Sequence, residues 1–182
     1  MPQAIDDRPI KDRLSVHVGD ITALDADIIV NAANEHLLPG GGVCGAIHRA
    51  AGPELAAACR KIGHCPTGSA VMTPGFNLKA RHVVHAVGPV WQGGEAGEAK
   101  LLASCYRRSL ELTASIAAVG VAFPAISTGV FGYPASEAAK VAVATVRAFL
   151  SSNPWPKDVI FCCFDERSAD HCRTALGHTT DR

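Results

Sequence analysis

The stretch DIIVNAANEHLLPGGGVCGAIHRAAG (residues 27–52) contains an apolar run, a polar loop with three consecutive glycines and a helix-forming segment, in that order. The continuous apolar run at residues 27–32 is typical of a strand buried on both faces of a parallel sheet. A helix is expected from about Cys44 to Ala51, directly after the glycines. A strand that leads through a loop into a helix is the repeating unit of α/β proteins.

The rest of the chain continues this alternation. Strands are expected at residues 14–18, 69–73, 81–87, 121–127 and 157–164, and helices at residues 53–61, 96–118, 134–150 and 166–176. The sequence therefore predicts a three-layer α/β/α domain with a central, mostly parallel mixed sheet. Residues 14–182 are assigned to this single domain, and residues 1–13 to a loosely held N-terminal arm.

Composition and charge exclude several classes of protein. The 182 residues are 48% hydrophobic and 19% charged, which suits one compact domain with a sizeable core. Lys plus Arg and Asp plus Glu number 17 each, and zero net charge argues against a bulk electrostatic grip on nucleic acid. The apolar runs are too short to span a bilayer, and the polar start lacks a signal-peptide stretch. These features favour a soluble, cytoplasmic protein.

The cysteines and histidines form no pattern that is typical of metal sites. Seven cysteines without a CxxC pair suggest neither a disulfide framework nor a zinc ribbon, and most are expected to act as small hydrophobic side chains. His82 and His85 are three apart in a predicted strand, so they lie on opposite faces. We therefore predict no bound metal.

Ligands of parallel sheets bind at the carboxyl ends of the strands, which directs attention to the loops there. GDIT (residues 19–22) places Asp20 directly after a strand, either as a turn cap or as an acceptor for a ligand N–H. The three glycines at residues 40–42 either form a flexible turn or bring successive backbone amides close to phosphate oxygens. The phosphate interpretation is favoured because a helix N-terminus follows immediately.

AISTGVFGYP (residues 125–134) is a second small-residue loop between a strand and a helix. Its Ser127, Thr128 and backbone amides can hold a second phosphate, and Phe131 can lie against a sugar or a base. Two amide-rich loops on one edge suit a pyrophosphate, and they allow a chain of zero net charge to bind a dianion.

Six motifs in this order resemble the macrodomain family. They are GDIT at 19–22, NAAN at 31–34, GGGVCGAIHRAAG at 40–52, CPTG at 65–68, VVHAVGPVW at 83–91 and PAISTGVFGYP at 124–134. The resemblance spans residues 14–176 and is closest to the branch of O-acetyl-ADP-ribose deacetylases and mono-ADP-ribosyl hydrolases. It implies that the chain binds ADP-ribose and hydrolyses O-acetyl-ADP-ribose or ADP-ribosyl esters on acidic side chains.

The same resemblance implies the partners of the chain. ADP-ribose is a ligand or a product, so no cofactor is expected. The expected partners are ADP-ribose, O-acetyl-ADP-ribose and mono-ADP-ribosylated proteins, with neither a membrane nor a nucleic acid among them. The domain is expected to be a monomer.

The resemblance also assigns ligand-binding roles to individual residues. It implies that Asp20 accepts the adenine amino group, that Ile21 donates through its backbone, and that Asn34 binds the distal ribose. The residues implied to enclose the distal ribose and the phosphates are Gly41, Gly42, Val43, Ser127, Thr128, Gly129, Val130 and Phe131. Phe164 is a candidate for the adenine pocket, and a core aromatic is its alternative interpretation.

Cys44 departs from the family pattern, because an Asp that orients or activates the attacking water usually follows GGGV. A thiol is a weak hydrogen-bond acceptor, so the substitution of Cys for Asp should remove the usual base. Three hypotheses stay open. In the first, the domain is a reader that binds ADP-ribose with little or no turnover. In the second, Asn34, His48 and the ligand phosphates hold the attacking water. In the third, Cys44 beside His48 is a nucleophile or a redox-sensitive thiol. The catalytic candidates are Asn34, Cys44 and His48, and a structural role is the alternative for His48.

Overall fold

In the computed structural model, which describes residues 6–177, six strands form one sheet in the order β1-β6-β5-β2-β4-β3. The strands are β1 (Leu14–Val18), β2 (Ile28–Ala32), β3 (Ala70–Pro74), β4 (His82–Ala86), β5 (Gly120–Phe123) and β6 (Asp158–Cys163). Neighbouring strands are parallel except for β3, which pairs antiparallel with β4 at one edge. The predicted mostly parallel mixed sheet is confirmed.

Helices cover both faces of this sheet. They are α1 (Gly42–Ala51), α2 (Pro53–Ile62), α3 (Glu98–Ser115), α4 (Ala135–Leu150) and α5 (Glu166–Leu176), with short 3₁₀ turns at Ile10–Arg13 and Ile21–Ala23. Because side chains alternate along a strand, Ile29 packs with α1 and α2, whereas Val30 packs with α3, α4 and α5. Each face therefore buries its own apolar cluster, and the three-layer α/β/α prediction is confirmed.

The strand expected at residues 121–127 is shorter than predicted. β5 ends at Phe123 because Pro124 has no N–H to donate to a sheet ladder. The chain then turns, and Ser127 adopts a positive φ of 68°, which is uncommon for a residue with a side chain. The sequence did not indicate this turn, because the apolar residues beyond Pro124 continue the pattern of a buried strand.

The segment before β1 is held more firmly than the sequence predicts. Arg13 is buried and donates to the carbonyls of Leu150 and Pro156. Arg8 donates to the Asp158 carboxylate at 3.0 Å. These contacts tie residues 8–13 to the domain, where the sequence predicted a loosely held arm, because charged side chains there find partners on the domain. Residues 1–5 of the predicted arm and residues 178–182 of the predicted domain lie outside the described residues.

Candidate functional site

The five parallel strands all end at one edge of the sheet, and their loops meet there. The glycine loop (residues 40–42) follows β2, and the loop that we call the β5 loop (residues 124–134) follows the neighbouring strand. The predicted site residues that lie in or directly beside the loops at this edge are Asp20, Ile21, Asn34, Gly41, Gly42, Val43, Cys44, Ser127, Thr128, Gly129, Val130, Phe131 and Phe164. His48 lies about one turn further along α1. Their contacts with a ligand stay a prediction.

The glycine loop leads directly into a helix N-terminus. Gly41 is the N-cap of α1, and Gly42, the first helical residue, has a φ of 56°. All three glycines of the loop are exposed, and a Cβ atom added at Gly41 or Gly42 would meet no protein atom within 4 Å. The first amides of a helix have no carbonyl partner within the helix and carry its positive dipole end. The loop thus presents open N–H donors of the kind that bind phosphate.

Asn34 shapes the segment that precedes the glycines. Its Nδ2 donates to the Leu38 carbonyl at 2.8 Å, and its Oδ1 accepts from the Leu38 backbone N–H at 3.1 Å. Both polar atoms of the amide are therefore used within the loop. Asn34 has a structural role here in addition to the ribose contact that the resemblance implies.

The β5 loop is anchored to the loop that follows β4. Trp91 donates its backbone N–H to the Phe131 carbonyl at 2.8 Å, and the rings of Trp91 and Tyr133 lie 4.7 Å apart. Ser127 is buried against Gly88, where an added Cβ would overlap its hydroxyl. Gly88 and Trp91 belong to a motif noted in the sequence, but neither received a role there. The signal was a glycine and an aromatic residue directly after a strand.

The loops after β1 and β6 form the other end of the site. Oδ1 of Asp20 accepts from the backbone N–H of Thr22 at 2.9 Å and from its hydroxyl at 2.7 Å, and these bonds lower the pKa of Asp20. Asp20 is thus a turn cap, and because Oδ2 takes part in neither bond, the ligand role stays compatible with capping. Phe164 is 93% exposed, so its interpretation as a core aromatic is wrong. An exposed ring beside Asp20 is available for stacking.

Cys44 lies in the first turn of α1 and faces the sheet. Its Sγ lies 3.7 Å from Nδ2 of Asn31 and 3.8 Å from the Leu38 carbonyl, and the residue is 6% exposed. Within residues 6–177 the structure gives it no hydrogen bond to His48. Burial lowers the pKa of His48, and its Nδ1 has no partner among those residues. The geometry therefore lends no support to a Cys44–His48 pair.

Asn31 is the polar residue that the sequence reasoning missed. It belongs to a motif noted in the sequence but received no role, although an Asn in a buried strand is itself a signal. Besides facing Cys44, its Nδ2 lies 3.1 Å from Nδ1 of His85, and Nε2 of His85 lies 3.0 Å from the hydroxyl of Thr73. Burial lowers the pKa of His85 to about 4.

The pKa of His85 leads to a prediction about acid stability. We expect the free energy of unfolding to fall as the pH is lowered from 6.5 to 5, because in this range His85 is protonated in the unfolded chain but stays unprotonated in the folded protein. With a pKa of about 4 in the folded protein and about 6.5 in the unfolded chain, the loss from His85 alone is about 2 kcal/mol. Urea unfolding at pH 7 and pH 5 measures it. A His85→Gln variant should show a smaller loss, and an equal loss in both proteins would contradict the assignment.

Two structural findings concern membranes and metals. Between residues 6 and 177, no helix is long and apolar enough to cross a membrane. In the same part of the chain, no three His, Cys, Asp or Glu side chains gather into a group that could hold a metal ion. All seven cysteines are buried free thiols, as small hydrophobic side chains would be.

The chain is similar to known proteins over most of its length. A family model described as Macro domain matches residues 30–142. A macro domain-containing protein of Mesorhizobium japonicum is 60% identical over 158 residues, which cover 87% of this chain and 90% of that protein. The O-acetyl-ADP-ribose deacetylase of Escherichia coli (strain K12) is 54% identical over 164 residues, 88% of this chain and 93% of that protein. A solved variant of the Oceanobacillus iheyensis macrodomain with ADPR has a TM-score of 0.87 at 43% identity, and covers 91% of this chain and 92% of that chain.

Proposed function

Because this chain belongs to the macrodomain family, we propose that its carboxyl-edge loops bind ADP-ribose and that it hydrolyses O-acetyl-ADP-ribose or ADP-ribosyl esters on acidic side chains. One observation carries the proposal. β2 and β5 are neighbours in the sheet, so the open amides of the glycine loop stand next to those of the β5 loop that have no partner among the described residues, at positions 127 and 129–131. Two adjacent sets of N–H donors suit the two phosphates of a pyrophosphate. The relative named O-acetyl-ADP-ribose deacetylase supports the hydrolytic step.

The order of the strands gives the ligand a direction. Asp20 and Phe164 follow β1 and β6, whereas Asn34 and Cys44 follow β2. Three strand spacings separate β1 from β2, which is about 14 Å. An elongated ligand with adenine at the first end and the distal ribose at the second therefore passes both phosphate loops. The bond to be hydrolysed then lies near residue 44.

A second candidate function is a reader that holds ADP-ribose without turnover. The observation in its favour is Cys44, because its thiol has only long contacts with Asn31 and Leu38. A thiol in this position does not supply the carboxylate that would align a water molecule. The two candidates share the binding step and differ only in the rate of hydrolysis.

The proposed reaction uses water and needs no cofactor, and its macromolecular substrates are mono-ADP-ribosylated proteins. We place the domain in the cytoplasm as a monomer. Seven free thiols support a reducing compartment, and zero net charge supports recognition of the nucleotide by backbone amides rather than by a basic surface.

Removing the exposed ring of Phe164 tests the binding step. We expect Phe164→Ala to weaken the binding of ADP-ribose about tenfold, because stacking of a base on an aromatic ring contributes about 1–3 kcal/mol. Isothermal titration calorimetry with ADP-ribose measures the dissociation constant. Val119→Ala is the matched control, since Val119 is also exposed but lies at the opposite edge of the sheet.

The outcomes of this titration separate the parts of the proposal. Absence of ADP-ribose binding by the unchanged protein overturns the proposed function. Binding that is equally strong in the Phe164→Ala and Val119→Ala variants leaves the function standing but contradicts the adenine role of Phe164.

A further inference from the structure

A row of polar side chains crosses the buried layer between the sheet and helices α1 and α2. Asn31 on β2, His85 on β4 and Thr73 on β3 are 1%, 0% and 3% exposed. Asn31 and His85 are direct partners in the β2–β4 ladder. By strand alternation all three share a face with Ile29 and Val83, which belong to the apolar cluster under α1 and α2. Polar groups buried in an apolar layer cost free energy unless they are bonded, so a continuous row indicates a function.

The hydrogen bonds of this row fit one direction, in which Oδ1 of Asn31 is the buried polar atom left without a partner among the described residues. Thr73 donates its hydroxyl proton to the Pro74 carbonyl at 3.1 Å, so its oxygen is left to accept. The ring of His85 must then donate from Nε2 to Thr73, which leaves Nδ1 without a proton. Nδ1 accepts from the side-chain amide of Asn31. The second proton of that amide points to Sγ of Cys44.

We propose that Thr73 and His85 form a relay that orients the Asn31 amide, so that an N–H donor is held against the side chain of residue 44. None of the three residues needs to touch the substrate. Thr73 fixes the tautomer of His85, His85 fixes the orientation of Asn31, and Asn31 fixes the side chain at position 44. They are positioning residues, and their influence on hydrolysis rests on the proposed function.

The surroundings of His85 are consistent with this direction. The pKa of about 4 keeps the ring neutral at physiological pH, as the relay requires. The groups that face the ring besides Asn31 and Thr73 are the thiol of Cys59, whose Sγ lies 3.8 Å from Nε2, and the more distant His48, whose charge also disfavours protonation of His85. A proton on Nδ1 would face the N–H of Asn31 and break the relay.

The relay also bears on the choice of side chain at position 44, and this does not depend on any pairing between Cys44 and His48. A donor aimed at residue 44 suits an acceptor there, and a thiol fills that position only weakly because sulfur is a poor acceptor. The opposite direction of the row would turn the Asn31 carbonyl oxygen toward residue 44 and would repel a carboxylate. The direction of the hydrogen bonds therefore decides which side chains at position 44 can accept a hydrogen bond from Asn31.

The first test measures the tautomer of His85 in the unchanged protein. Nitrogen-15 NMR of the histidine rings distinguishes a proton on Nε2 from a proton on Nδ1. We expect His85 to carry its proton on Nε2 from pH 8 down to about pH 5, since its pKa lies near 4. A proton on Nδ1 overturns the relay, whatever the activity of the protein.

The second test removes the hydroxyl of Thr73. Thr73→Val is nearly isosteric, Thr73→Ser keeps the hydroxyl, and Thr113→Val is the matched control. Thr113 is likewise fully buried and donates to a carbonyl, that of Ser109, but lies within α3 on the other face of the sheet. We expect Thr73→Val to raise the rate at which iodoacetamide alkylates Cys44, followed by peptide mass spectrometry, because the thiol is then held less firmly. Thr73→Ser and Thr113→Val should leave that rate unchanged.

The same substitutions are then compared in a Cys44→Asp background. We expect Thr73→Val to lower kcat for O-acetyl-ADP-ribose about tenfold, as is usual for groups that orient a reacting side chain, with KM nearly unchanged. Thr73→Ser should restore kcat. Equal alkylation rates and equal kcat values in the Thr73→Val and Thr113→Val proteins overturn the relay. Absence of hydrolysis in every form, with the tautomer and alkylation results as expected, overturns the proposed hydrolase and leaves the relay in place.

Discussion

Cys44→Asp is expected to raise the rate of O-acetyl-ADP-ribose hydrolysis by about 10²–10⁴-fold, the usual contribution of a positioned general base. The structure is prepared for a carboxylate at this position. Residue 44 lies in the first turn of α1, where the helix dipole favours a negative charge, and it faces the N–H of Asn31. A carboxylate bonded in this way is ionised at neutral pH and can align a water molecule against the ester.

The measurement is a time course with O-acetyl-ADP-ribose and with a protein ADP-ribosylated on acidic side chains. Cys44→Asn is the matched control, because it has the shape of Asp without the charge and should not gain activity. Binding of ADP-ribose is measured on each protein, and it is expected to change little. The comparison therefore reports on the chemical step alone.

Each result assigns the unchanged protein to one class. Comparable rates in the unchanged protein and in the Cys44→Asp protein would mean that Asn34 and the substrate phosphates suffice to hold the water. Hydrolysis that appears only in the Cys44→Asp protein, with binding intact in both, would make the unchanged protein a reader on a hydrolase scaffold. Absence of hydrolysis in both proteins contradicts the proposed enzyme.

Gly45→Ala is expected to weaken ADP-ribose binding about 10- to 100-fold, an effect of about 1.4–2.8 kcal/mol. A Cβ at this position would lie 2.5 Å from the carbonyl oxygen of Gly40, which is backbone and cannot rotate away. The glycine loop would have to shift to make room, and its amides would leave the positions in which they meet a phosphate. Affinity falls because the donors are displaced, not because α1 is weakened.

The helix itself should tolerate this substitution, since Ala is favoured over Gly in a helix interior by about 1 kcal/mol. Titration calorimetry with ADP-ribose, together with thermal unfolding, separates the two effects. Gly120→Ala is the control, because its added Cβ would meet its nearest atom at 4.0 Å and it lies at the opposite edge of the sheet. Equal affinities of the Gly45→Ala and Gly120→Ala proteins would show that the loop does not bind phosphate through fixed amides.

Most of the fold follows from local patterns in the sequence. The apolar run of β2 and the Pro-initiated helix α2 begin and end within two residues of their expected positions. The helix expected at residues 96–118 ends three residues early, at Ser115. β5 differs most, because the apolar residues beyond Pro124 continue the strand pattern while the proline ends the ladder. The strand order was not predictable in this way, since it depends on pairings between segments that are far apart in the chain.

The candidate site was only partly predictable for a similar reason. Loops at strand ends can be located from glycines and polar residues, and these loops do meet at one edge. The contact between Asn31 and His85 joins residues 54 positions apart, and it exists only because β2 and β4 are neighbours. The ties of the β5 loop to Gly88 and Trp91 are long-range in the same sense. Positioning residues of this kind become visible only once the strands are paired.

The ties between the loops after β4 and β5 also bear on how a ligand enters and leaves. Trp91 and Phe131 join the two loops by a backbone hydrogen bond, so the β5 loop is held from the loop after β4 as well as by its own strand. The neighbouring glycine loop is exposed and has no side chains with which to form such a tie. We therefore expect the rate of nucleotide release to depend more on movement of the three glycines than on movement of the larger β5 loop.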